Sequence, residues 1–201
     1  SEEAYSQKGI PVKRIASLKM AAMVSQQFDR FLAMGAKQLR REYSARGLPF
    51  AADLPRRDLL TCLRAVILWE ALPVGELWLE CQEHGIPESK VGRQGSDNVQ
   101  RASLLDALRL NLSADVFQSR GIPVQCFASM QEALDMSDEC VRLESMTLHQ
   151  LREVCGMDRD MGMSRRELLN VAKNMNMWEH FSLEELQLEC HARGISEARI
   201  G

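Results

Sequence analysis

A chain of 201 residues that is 45% hydrophobic but only 5% aromatic can bury a core, and that core must be built mostly from Leu, Met, Ala and Val, which favour helices. The formal net charge of −3 and the pI near 5.9 exclude a uniformly basic, nucleic-acid-coating protein. No apolar run approaches the roughly 20 residues of a membrane span, and six Cys are too dilute for a disulfide scaffold, so the chain reads as an intracellular protein with reduced thiols.

In chain order, the opening residues 1–14 lack the basic start and apolar stretch of a secretory signal. Tyr5 to Pro11 reads as the end of a helix whose opening turns are missing, closed by Gly9-Ile10-Pro11. A long helical pattern follows through Met20, Met23, Val24, Phe28, Phe31 and Leu32. Leu39 and Tyr43 lead to Arg46-Gly47-Leu48-Pro49, then a loop, then a helix from Arg56-Arg57-Asp58-Leu59. Leu77 and Cys81 lead to Gly85-Ile86-Pro87, an enlarged loop over residues 91–100, and a helix carrying Arg101 to Leu108. The fourth unit has Phe117 and Gly121-Ile122-Pro123, with Ser113 where a Leu is expected. The fifth pairs Leu151 with Cys155, has Arg159 where the Gly should be, and recovers in Ser164-Arg165-Arg166-Glu167-Leu168. The last, with Leu186, Cys190 and Gly194, stops before a second helix.

Leu and Cys four residues apart share a helix face, and a Gly four beyond the Cys suits a left-handed stop. The positions Gly9, Gly47, Gly85, Gly121, Arg159 and Gly194 fall at intervals of 38, 38, 36, 38 and 35. Such regularity predicts an all-α tandem array of helix-loop-helix units with a period of about 37 residues, bounded at 1–36, 37–72, 73–112, 113–146, 147–182 and 183–201. Lys and Arg counted against Asp and Glu give +2, +3, −2, −4, 0 and −2 for these six segments, so a polyanion should prefer residues 1–72.

The run of Leu39, Arg46-Gly47-Leu48-Pro49 and Arg56-Arg57-Asp58-Leu59 resembles the SAP motif, a helix, extended-loop, helix module. Nearly the whole chain is similar to successive degenerate copies of it. The resemblance implies DNA binding, sometimes RNA binding, by a tether in chromatin-associated or nucleic-acid-processing proteins. The residues it marks are Lys13 and Arg14, then Arg46, Arg56 and Arg57, then Arg165 and Arg166. Donors at the start of the second helix and adjacent Arg side chains can hold phosphates without reading bases. The third and fourth units depart from the pattern, the third offering Arg101 and the fourth no basic residue at the corresponding loop.

Each signal has a plainer reading. Arg56-Arg57 and Arg165-Arg166 can be solvated first turns with Asp58 or Glu167 supporting the helix start. Tyr5, Tyr43, Cys81, Phe117, Cys155 and Cys190 share one position and are expected in the core. The same is expected of Met20, Met23, Met34, Met157, Met161, Met163, Met175 and Met177, while Trp69, Trp78 and Trp178 should pack between units. His84 and Cys190-His191 lack metal-ligand spacing, and Gly92-Arg93-Gln94-Gly95 lacks flanking strands, which leaves it a loop. With no phosphate loop, nucleophile elbow or paired His-Glu motif, neither a catalytic site nor a cofactor is expected. The function expected is low-specificity nucleic-acid binding, DNA before RNA, in the nucleus rather than the cytoplasm. The rivals are a protein-interaction scaffold using the acidic units and a non-catalytic targeting segment of a larger enzyme.

Overall fold

The computed structural model describes residues 2–50, 52–91, 95–157 and 162–195. Among these, every regular element is helical. Short helices α1 (Glu2–Gln7), α3 (Ala36–Ala45), α5 (Val74–Glu83), α7 (Ala114–Gln118), α9 (Leu148–Val154) and α11 (Leu183–Ala192) alternate with long ones. The long helices are α2 (Leu18–Ala33), α4 (Arg56–Ala71), α6 (Asp97–Leu112), α8 (Met130–Ser145) and α10 (Arg165–Trp178). None is long and apolar enough to cross a membrane.

The short helices start and stop by the same local devices. Gly35, Pro73, Thr147 and Ser182 are the residues before α3, α5, α9 and α11, and the fourth helical residue in each case is Leu39, Leu77, Leu151 or Leu186. Thr147 and Ser182 cap their helices with side-chain oxygens while Gln150 and Glu185 reach back, satisfying amides that would otherwise be orphaned. At the other end Ile86 N–H donates to the Cys81 carbonyl at 2.9 Å across Gly85, whose φ of +68° only glycine adopts without strain. The same bond joins Leu48 to Tyr43, Ile122 to Phe117 and Ile195 to Cys190.

The fifth stop is not where the glycine spacing put it. Gly156, with φ of +61°, takes the left-handed position, and Met157 N–H donates to Arg152 at 3.0 Å. Arg159 lies outside the described residues, as do Met161 and three of the four residues of the Gly92 to Gly95 stretch. α9 is therefore seven residues long where α3, α5 and α11 are ten. Phe117 corrects the reading of the fourth unit: Ser113 stands immediately before α7, and Phe117, fully buried, fills the fourth helical position that leucine holds elsewhere.

The chain divides into two compact bodies, residues 1–116 with 128–130, and residues 117–127 with 131–201. In the first, α4 packs on α2 and α3, and α6 packs on α4 and α5. Its interior includes Phe28, Phe31, Leu39, Tyr43, Leu59, Leu63, Leu77, Cys81, Leu104 and Leu108, each buried. Removing such leucines from water contributes about 1.5–3 kcal/mol apiece. In the second, α10 packs on α9 around Leu143, Leu151, Cys155, Leu168 and Ala172.

Burial sorts the shared Tyr/Cys/Phe position. Tyr43, Cys81, Phe117 and Cys155 are buried, as expected, while Tyr5 and Cys190 in the incomplete outer units are only half-buried. The methionines differ from expectation more broadly. Met20, Met34, Met157, Met163 and Met177 are half-buried, Met23 and Met175 are exposed, and the buried ones are Met130 and Met136. Trp69 is buried, and its indole N–H donates to Glu80 at 2.8 Å, while Trp78 and Trp178 are half-buried.

Candidate nucleic-acid interface

Arg56 and Arg165 are the first residues of α4 and α10, where the sequence pattern places them. Their guanidinium groups, however, turn back onto the preceding long helix. Arg56 donates to the carbonyls of Leu32 at 2.7 Å and Met34 at 3.3 Å. Arg165 donates to those of Glu144 at 2.5 Å and Met146 at 3.0 Å. Arg101, one turn into α6, donates to the carbonyls of Glu70 and Leu72. In all three cases the acceptors are the residues one and three before the residue that starts the next short helix, Gly35, Thr147 or Pro73. The last carbonyls of a helix have no intrahelical donor, and a cation there is also favoured by the helix dipole.

The register continues inward. Leu59, Leu104 and Leu168 lie three residues after these arginines and are fully or almost fully buried; Leu63, Leu108 and Ala172 lie seven after and are buried too. Cys81 Sγ donates to the Leu104 carbonyl at 3.9 Å, and Cys155 Sγ to the Leu168 carbonyl at 3.6 Å. A single pattern, Arg-x-x-Leu-x-x-x-Leu or Ala, thus joins a long helix to the helix end before it and to the short helix beneath it. The pattern is visible in the sequence, but only once arginine is counted as a packing residue.

Arg14 and Arg46 are also engaged. Arg14 pairs with Glu76 at 2.5 Å and Glu80 at 2.8 Å; the hydrogen bond it donates to Glu76 raises its already high pKa. Arg46 lies between Glu70 at 3.3 Å and Glu42 at 3.8 Å, with the Phe31 ring 5.6 Å from its guanidinium carbon. Lys13 and Arg14 also depart from the expected position: they occupy a turn before α2, whose first residue is Leu18 and whose cap is Ser17.

Lys13, Arg57 and Arg166 remain. All three are exposed, and none makes a side-chain hydrogen bond or ion pair among the described residues. Their settings differ. Arg57 is the second residue of α4, which Pro55 precedes without any side-chain cap; the Asp58 and Leu59 N–H groups donate to the Pro55 carbonyl, and Asp58 is an acidic residue of the same first turn. Arg166 is the second residue of α10, whose start is closed by Ser164 and Glu167; hydrogen bonds from Ser164 hold the Glu167 carboxyl below the usual range. Lys13 adjoins Arg14 and the carboxylates that neutralise it.

Burial, with a smaller contribution from Glu80, pushes the Cys81 thiol up to about 11, and burial also raises Cys62, Cys140 and Cys155. Among the described residues no three His, Cys, Asp or Glu side chains are placed to hold a metal ion. An open groove of about 250 Å³ beside α2 and α4 is lined by Met20, Met23 and Ile67, and its charged residues, Arg46 and Glu70, form an ion pair at 3.3 Å. The chain matches no protein-family model, no curated protein and no solved structure.

Proposed function

We propose that the protein binds nucleic acid with low sequence specificity, DNA before RNA, through phosphate contacts centred on the start of α4. What supports this reading is Arg57: an exposed, unpaired guanidinium beside the uncapped first turn of a 16-residue helix. Backbone donors, the positive end of the helix dipole and a free cation together suit a phosphate oxygen and carry no base readout. Residues 37–72 also carry the most positive net charge of the six segments, +3. Lys13 adds a second free cation in the first body, and Arg166 a weaker one in the second, because Glu167 already occupies the helix start there. Arg14, Arg46, Arg56 and Arg165 would first have to give up carboxylate or carbonyl partners, so they serve the fold in this reading. The SAP-like reading of the units agrees with this assignment and with a nuclear location.

The test is a salt series of binding to generic duplex and single-stranded DNA and RNA. Affinity that falls steeply with salt and varies little with sequence supports the reading. Absence of binding at low salt removes it and leaves the interaction scaffold.

A further inference from the structure

Two hydrogen bonds set α3 against the start of α4. The Arg56 guanidinium donates at 3.3 Å to the carbonyl of Met34, two residues before α3, and Arg40 of α3 donates at 3.4 Å to the carbonyl of Leu54, three residues before Arg57. Lys37, three residues before Arg40, and Arg41, four after Lys37, share that face of α3. Both are exposed and make no side-chain hydrogen bond or ion pair among the described residues. Leu39 and Tyr43, which hold α3 to the core, lie on its other side. Five cations, Lys37, Arg40, Arg41, Arg56 and Arg57, are therefore brought together against the two exposed carboxylates of Asp53 and Asp58. The loop joining α3 to α4 carries Phe50, 65% exposed, directly after Leu48 and Pro49, which are buried. Phe50 precedes Leu54 by four residues, so the two Cα atoms are at most about 14 Å apart. Phe28, Phe31, Phe117 and Phe127 are all buried.

We propose, resting on phosphate recognition at the start of α4, that this corner of the first body binds single-stranded DNA in preference to duplex, with Lys37, Arg41 and Arg57 on its phosphates and an unstacked base against the Phe50 ring. In a duplex the base faces are stacked on one another, and only phosphate contacts are open to the protein. In a single strand a base is free to turn onto an aromatic side chain beside the cations that hold its backbone. Every base has a face to stack, so the preference is for the single strand and not for a sequence. Lys37 and Arg41, about 6 Å apart along the helix axis, add two phosphate contacts to that of Arg57. Arg40 and Arg56 spend their guanidinium groups on the Leu54 and Met34 carbonyls and hold the two helices in this arrangement. Asp53 and Asp58 offset part of the charge and leave an excess of cations.

The probes are a labelled thymidine homopolymer of about 20 nucleotides, which has no self-pairing, and a mixed-sequence duplex of the same length, each titrated with the whole protein at matched salt. The single strand should bind at least about fivefold more tightly. Phe50→Ala should lower the ratio of single-strand to duplex affinity at least about fivefold, and Phe50→Tyr, which keeps an aromatic face, should preserve it. The double variant Lys37→Ala, Arg41→Ala should reduce the slope of log affinity against log salt for the homopolymer by about 1.4, since each single-strand phosphate contact contributes about 0.7. Equal affinity for the two probes, a ratio unmoved by Phe50→Ala, or a slope unmoved by the double variant overturns the proposal. If duplex still binds in an Arg57-dependent way in any of those cases, phosphate recognition at the start of α4 survives and the single-strand face alone falls. Absence of binding to both probes at low salt removes the two together.

Discussion

Arg56 donates to the carbonyl oxygen of Leu32 at 2.7 Å, while its exposed neighbour Arg57 has no side-chain partner among the described residues. Two adjacent arginines therefore differ: the first closes the end of α2, and the second makes no side-chain contact of this kind among the described residues. Arg101 does what Arg56 does and is half-buried, so it shows the structural role most strongly. Arg101→Ala is expected to destabilise the protein by about 1–3 kcal/mol, since charge-assisted bonds to otherwise unpaired carbonyls are lost. Arg57→Ala should stay within about 0.5 kcal/mol of the parent. Urea unfolding of both variants measures the difference, and equal effects would contradict the division of roles.

Leucines at the fourth position of the short helices should fall into two classes. Leu77→Ala and Leu151→Ala remove fully buried side chains and are each expected to cost about 2–5 kcal/mol. Leu186 is half-buried in α11, and Leu186→Ala should cost clearly less. Chemical denaturation resolves this; a cost at Leu186 equal to that at Leu151 would mean the α11 face is already covered.

The helix-stop-loop-helix order, the buried Leu and Cys faces and most of the left-handed glycines were legible in the sequence because each is a local device with a short signature. Gly156 was missed because α9 gives up its last turn while keeping its start, so counting a fixed distance from Leu151 overshoots. Phe117 is buried as expected, but the spacing did not show that it serves both the start and the stop of a five-residue helix. The candidate site was half legible. Residue type and helix position mark Arg56 and Arg57 alike, but only the neighbouring helix end distinguishes them, and sequence spacing does not show which carbonyls lack donors. Arg14 and Arg46 were read as free cations for a related reason: their partners Glu76 and Glu70 lie 62 and 24 residues away.

Cys81 should give a signature at alkaline pH. Its folded pKa of about 11 stands above the ordinary thiol value of 9.0, so the folded state keeps the proton after the unfolded chain has released it. Its contribution to stability is full below the unfolded pKa and is lost as pH rises toward the folded one. Stability is expected to fall between about pH 9 and pH 11, and Cys81→Ala should flatten that fall. Alkylation followed by mass spectrometry at pH 8 should modify half-buried Cys190 well before Cys81.

Glu139 gives the opposite sign. Hydrogen bonding from Arg142, with further help from Asn176, holds its carboxyl below the ordinary value. The stabilisation is present above the unfolded pKa and disappears as pH falls through the lowered one. The parent should therefore exceed Glu139→Gln in melting temperature near neutrality and converge with it in acid. A gap that persists once the carboxyl is protonated in both states would show that the pair is not the cause.

Fluorescence anisotropy of a labelled generic DNA duplex, titrated with the protein over a range of salt concentrations, tests the role of the α4 start most directly. Arg57→Ala should weaken binding similarly for unrelated sequences and reduce the slope of log affinity against log salt by about 1. Arg56→Ala should lower stability and leave that slope unchanged. No binding at low salt, or a slope indifferent to Arg57, would contradict phosphate recognition at the start of α4.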